Sequence, residues 1–168
     1  MNADKKFSRI LLYGLGDASH QDASLGIEFI DCMKPWIEQQ KLEVNVHLAM
    51  NNQLQVEDAE NLANHDLVIF VDASQENICD FYLSKVEPEE KGKKVTPGYL
   101  LHMCEQLYGH KPLSYYLHIR GYKWRDGEIS IKAKNNLCKA VGYVQEKVLH
   151  PDPLVNINPT SAIDLKNK

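Results

Sequence analysis

What this chain lacks narrows it first. Four cysteines, Cys32, Cys79, Cys104 and Cys138, are spread over 168 residues, and no two form a Cys-x-x-Cys pair. That spacing argues against zinc ribbons and thioredoxin-like redox motifs. Four reduced thiols, mostly buried as small apolar residues, are expected, as in a cytoplasmic protein. No apolar stretch approaches the roughly 18 residues that span a bilayer, so no membrane partner is expected. The opening segment MNADKKFSRI has no apolar run of the secretory-signal kind. A strong excess of one charge is also missing. The net charge is −4, which offers no global attraction to nucleic acid or an anionic membrane. No glycine loop ends in Gly-Lys-Ser/Thr and no Gly-x-Ser-x-Gly elbow occurs, so a P-loop and an α/β-hydrolase nucleophile are both absent.

What is present is an alternation of strand and helix patterns. Ile10–Tyr13 and Leu67–Val71 are continuous apolar runs, predicted as strands covered on both faces, the second as the central strand. Leu42–Leu48 alternates as a half-buried strand, and Phe81–Val86 and Tyr115–Ile119 add two more. Helical spacing runs from Leu25 to Gln40, with Pro35 inside it to kink or divide the helix. Val56–Asn64 reads as a short acidic helix with Val56, Ala59, Leu62 and Ala63 inward. A helix from Pro97 stops at Gly109, and an amphipathic helix runs from Ile131 to Leu149. The pattern predicts a three-layer α/β/α sandwich with a mostly parallel sheet. One domain over residues 1–150 is expected, followed by a loosely ordered tail over 151–168.

Ligands of such sheets bind beyond the carboxyl ends of the strands. Two segments fall there: the loop GLGDASHQDASLGI, Gly14–Ile27, and Asp72 after the central strand. The loop departs from the dinucleotide fingerprint. Ser19 stands where the third glycine belongs, and Leu48, Ala49 and Met50 stand where a ribose-binding acid belongs. Asp72 reads either as a cap for the next turn or as a ligand. Asp22 has the same two readings. Asp17 and Asp22, with Asp72 near, are expected to repel one another and raise at least one pKa, unless a cation binds or the loop is open to solvent.

Taken in order, these segments resemble the nickel–iron hydrogenase maturation proteases. That family has a first strand, Gly-x-Gly-Asn, a four-residue spacer, an Asp followed by a second acid, and a glycine three residues later. A strand-end Asp, a Pro-His pair opening a helix, and a last long helix follow. Gly14, Gly16 and Gly26 match the glycines, and Asp17 stands at the Asn. Asp22 matches the first acid, Asp72 the strand-end Asp and Pro97 the Pro. The resemblance covers Arg9 to about Leu149. It implies an α/β/α fold and a cytoplasmic endopeptidase that trims the C-terminus of the hydrogenase large subunit once nickel is inserted. The family recognises that nickel through the second acid, the strand-end Asp and the His, donors that suit it.

At two of those three ligand positions this chain has Ala23 and Gly98. A rebuilt site would draw on Asp72, Asp22, His20 and His102, the last one helical turn beyond Gly98 and so displaced by about 5.4 Å. The enzyme assignment therefore stays open. One reading is a divergent member with a binding or chaperone-like role toward the large subunit or a related maturation protein. A second is an active nickel-dependent endopeptidase with shifted ligands. A third is an unrelated small-molecule or peptide site in the same crevice. His118 reads first as a satisfied half-buried histidine and second as a catalytic base. Gly121–Gly127, with Tyr122, Lys123, Trp124 and Arg125, reads either as packing over the sheet edge or as a recognition loop.

Overall fold

A computed structural model describes residues 7–90 and 92–149; the expected tail lies outside them. The strands are β1 (Ile10–Leu15), β2 (Val46–Asn51), β3 (Leu67–Ser74), β4 (Phe81–Lys85) and β5 (Leu113–Arg120). The helices are α1 (Leu25–Gln39), α2 (Asp58–Ala63), α3 (Pro97–Tyr108) and α4 (Ile131–Tyr143), the last continued by a π-helical turn over Val144–Val148. The sheet order is β2-β1-β3-β5-β4, so β3 is the middle strand. All pairings are parallel except β4 with β5. This is the α/β sandwich expected.

Burial follows from the side-chain alternation of a strand. Leu67, Ile69 and Val71 of β3 join Leu25, Phe29, Ile30 and Met33 of α1 and Leu137 and Ala140 of α4 in one core. Val68 and Phe70 face the other way, onto Ala59 and Leu62 of α2 and Leu100, Leu101 and Cys104 of α3. Every residue of β3 from Leu67 to Val71 is buried, which is why its run is apolar without alternation.

α3 shows how closely sequence can dictate an element. Thr96 caps it by accepting from the Tyr99 amide, Pro97 takes the first turn, and Gly109 closes it in the left-handed conformation at φ 64°. Elsewhere the structure shifts the expectation. β2 starts at Val46 because Asn45 and Val46 both donate to the Leu42 carbonyl, turning the chain where alternation suggested a strand. Val56 is 42% exposed, since the helical turn begins after it. Pro35 lies exposed within α1, and the helix runs on to Gln39 undivided. β3 extends past Asp72 to Ser74, which places that carboxylate in the strand.

Candidate functional site

The glycine loop crosses the carboxyl ends of β1 and β3. Its glycines allow close backbone contact. A Cβ on Gly26 would lie 2.0 Å from the Leu15 carbonyl oxygen and 2.4 Å from that of Val71, and one on Gly14 would lie 2.3 Å from the Gly26 carbonyl oxygen. The α1 N-terminus therefore rests directly on two strands.

Asp22 opens the helical turn before α1 and is fully buried. Its Oδ2 accepts from the Tyr122 amide at 2.6 Å, the Lys123 amide at 2.9 Å and the Ser130 hydroxyl at 2.8 Å. Oδ1 accepts from the Ser130 amide at 2.7 Å. Burial pushes its pKa up, but the Ser130, Tyr122 and Lys123 amides and the Ser130 hydroxyl outweigh this and hold it below the ordinary value. Asp22 thus ties the loop after β5 and the Ser130 cap of α4 to the glycine loop. Gln21 doubles the tie: it donates its amide to the Arg125 carbonyl and accepts the Arg125 amide.

Asp17 and His20 stay at the solvent edge. The Ser19 hydroxyl and amide, then His20, lower the Asp17 pKa. His20 Nδ1 lies 2.8 Å from Asp17 and Nε2 lies 3.2 Å from Asp126, so both ring nitrogens face carboxylates.

Asp72 sits on the α2/α3 face, on the side of the strand opposite Val71. Its Oδ2 accepts from the Tyr116 hydroxyl at 2.8 Å and Oδ1 from the Ala73 amide at 2.8 Å. Burial raises its pKa against both bonds. The shift expected from mutual repulsion of the acids therefore has another origin: Asp17 and Asp22 are both lowered, and Asp72 is raised by desolvation. The neighbours that sequence alone did not assign to Asp72 come from β4 and β5. His118 is its register partner on β5. The His118 ring stacks on Tyr82 with centroids 4.1 Å apart, lies 4.4 Å from Tyr116, and has Nε2 2.9 Å from the Ser84 hydroxyl. Knowing that β3 and β5 pair in parallel is what reveals this cluster; the spacing Tyr116-x-His118 alone signals only a shared face.

The raised Asp72 pKa has a testable consequence. The folded state binds this proton more tightly than the unfolded chain, whose Asp pKa is about 3.9. Stability is therefore lost as pH rises from the unfolded value through the folded one, and the deficit persists at pH 7. Asp72→Asn removes it. The asparagine oxygen accepts from Ala73 and its NH₂ donates to Tyr116, whose hydroxyl can turn to accept. The expected result is a melting temperature higher by roughly 1–3 °C at pH 7, with the advantage gone below about pH 4. A thermal melt at both pH values checks it.

Ala23 and Gly98 supply no donor atom. At Gly98 the space is already taken. An added Cβ would lie 2.7 Å from the Glu87 carbonyl oxygen and 2.8 Å from the Glu89 side chain, whose carboxylate accepts from Thr96. His102 lies half-buried in mid-α3. Among the described residues no three His, Cys, Asp or Glu side chains are placed to hold a metal ion. The donor set here does not fit nickel held as the family resemblance implies. No described helix is long and apolar enough to cross a membrane.

No family model matches the sequence, and no curated protein is significantly similar to it. Solved structures are similar. A [NiFe] hydrogenase maturation protease HycI from Thermococcus kodakarensis KOD1 aligns with TM-score 0.64 at 18% identity, over 89% of this chain and 94% of that one. The hydrogenase maturating endopeptidase HybD from E. coli aligns with TM-score 0.63 at 18% identity, over 81% and 89%. A hydrogenase 2 maturation peptidase from a Thaumarchaeota archaeon gives TM-score 0.59 at 18% identity, over 81% and 95%. The fold of this chain is the fold of those maturation proteases.

Proposed function

We propose that this chain is a divergent cytoplasmic member of the nickel–iron hydrogenase maturation proteases that acts by binding. Its partner is the hydrogenase large subunit or a related maturation protein, and metal-guided cleavage has been given up. Residues 1–150 form the one domain that does this. The observation that carries the reading is what the ligand positions hold. Gly98 packs against Glu87 and Glu89, Ala23 is inert, and Asp22 spends both oxygens on four internal bonds. Asp72 alone keeps a carboxylate at a ligand position, and it accepts from the Tyr116 hydroxyl and the Ala73 amide. A rebuilt site on Asp72, His20 and His102 would have to draw His20 away from Asp17 and Asp126.

The test is to mix purified protein with nickel-loaded large-subunit precursor and follow complex formation and C-terminal trimming together. A stable complex with the precursor left at full length is expected, and Asp72→Ala is expected to leave the complex intact. Trimming abolished by Asp72→Ala would establish the nickel-dependent endopeptidase instead.

A further inference from the structure

The tie made by Asp22 fixes more than the loop's position. Arg120, Lys123, Arg125 and Lys132 gather around the segment it holds. Two of them lie over the Tyr122 ring: the Arg120 guanidinium carbon is 4.9 Å and Lys132 Nζ 5.6 Å from its centroid. The ring is itself held, since Asn136 Nδ2 donates to the Tyr122 hydroxyl at 3.0 Å. Arg120 is further anchored by donating to the Ile78 carbonyl at 2.9 Å. Lys123 and Arg125 are exposed, on a backbone pinned by Asp22 and Gln21. Trp124 packs back onto Gly121.

None of these four cations forms an ion pair among the described residues. The nearby acids are otherwise engaged: Asp17 and Asp126 face His20, Asp22 is buried, and Asp80 holds Lys139. Asp126, 93% exposed, and Glu128 are the exposed carboxylates of this stretch. An acidic protein thus carries a local excess of positive charge, four cations against Asp126 and Glu128, at the end of the sheet where ligands of this architecture sit. Arg120, held by Ile78 before binding, and a loop backbone pinned by Asp22 and Gln21 lose less entropy on binding, which favours a recognition surface.

We propose that this rim docks an acidic peptide segment of a partner protein. The proposal rests on the binding reading above and names the face that binds. A carboxylate-bearing peptide fits four discrete cations, two of them able to fork onto a carboxylate. A nucleic-acid duplex, with a charge every 1.7 Å or so, calls for a longer positive track than a chain of net charge −4 offers here.

The experiment uses fluorescein-labelled hexaglutamate and anisotropy at low and physiological salt. Saturable binding that weakens with salt is expected. Lys123→Glu with Arg125→Glu should weaken it by about tenfold or more. Both side chains are exposed, so an unchanged melting temperature is expected alongside. Lys93→Glu with Lys94→Glu makes the same change in net charge on the α3 side of the sheet, and should weaken it by less than about threefold. Three results would overturn the proposal: no binding by the unaltered protein, equal losses in the two double variants, or tighter binding of a short DNA duplex than of hexaglutamate. The assay contains neither nickel nor large subunit. Its failure leaves partner binding through another face intact, and failure to bind the large subunit leaves this surface to be judged on its own.

Discussion

Asp22→Ala is expected to cost about 3–5 kcal/mol of folding stability. Four donors converge on this carboxylate, three of them backbone amides that cannot turn elsewhere. Each buried donor left without a partner costs about 1–3 kcal/mol, and partial entry of water lowers the sum below a simple total. Set against the 5–15 kcal/mol that holds a typical domain folded, such a loss brings the protein near its limit. Asp22→Asn is expected to lose about half as much, because its oxygen can serve the Oδ2 cluster while its NH₂ meets the Ser130 amide donor to donor. The pH dependence has a definite sign. The folded pKa is below the unfolded one, so this stabilisation is present above the unfolded value of about 3.9 and is lost as pH falls through the folded value. In Asp22→Asn that acid-linked part of the profile should flatten. Urea unfolding across pH 2–7 measures both effects. A loss of under about 1 kcal/mol in the alanine variant would mean the carboxylate is not the tie described.

Gly26→Ala is the second large effect. The new methyl carbon would lie 2.0 Å from one carbonyl oxygen, 2.4 Å from another and 2.7 Å from the Leu15 nitrogen. All three atoms belong to β1 or β3, the middle of the sheet, so none can step aside as a side-chain tip would. Relief requires lifting the start of α1, and with it Leu25, Phe29 and Ile30, which are at most 2% exposed. Overpacking in cores costs typically 1–3 kcal/mol. Here the fixed backbone pushes the expectation to about 3 kcal/mol or more, or to no folded protein at all. Gly109→Ala, at a position with nothing within 4 Å of an added Cβ, serves as a comparison in which only the left-handed backbone is penalised, by about 1 kcal/mol.

These two residues also show what sequence reveals and what it hides. The glycine loop, Asp22 and Asp72 were visible as a constellation because each follows or precedes an apolar run that is plainly a strand or a helix. α3 was legible nearly to the residue, since Pro97 and Gly109 carry local backbone chemistry. The start of β2 was not, because a turn over Leu42–Val46 and an alternating strand share the same apolar spacing. The role of Asp22 was hidden for a different reason. A local cap was the natural reading, yet its partners lie about a hundred residues away, at Tyr122, Lys123 and Ser130. Long-range partners depend on which strands adjoin, and spacing along the chain does not carry that. The same holds for His118, which becomes a neighbour of Asp72 only through the β3–β5 register. Gly98 lacked a histidine in the sequence, but that Glu87 and Glu89 fill the space could be seen only in three dimensions.

On the function proposed above, this fold keeps the strand-end aspartate without the further ligands that would hold nickel. Calorimetric titration of chelator-treated protein with nickel, Asp72→Ala beside it, tests that most directly. No one-site isotherm at micromolar strength is expected in either protein. A micromolar or tighter site, worth about −8 kcal/mol or better and abolished by Asp72→Ala, would contradict it and return the chain to the metal-guided endopeptidases.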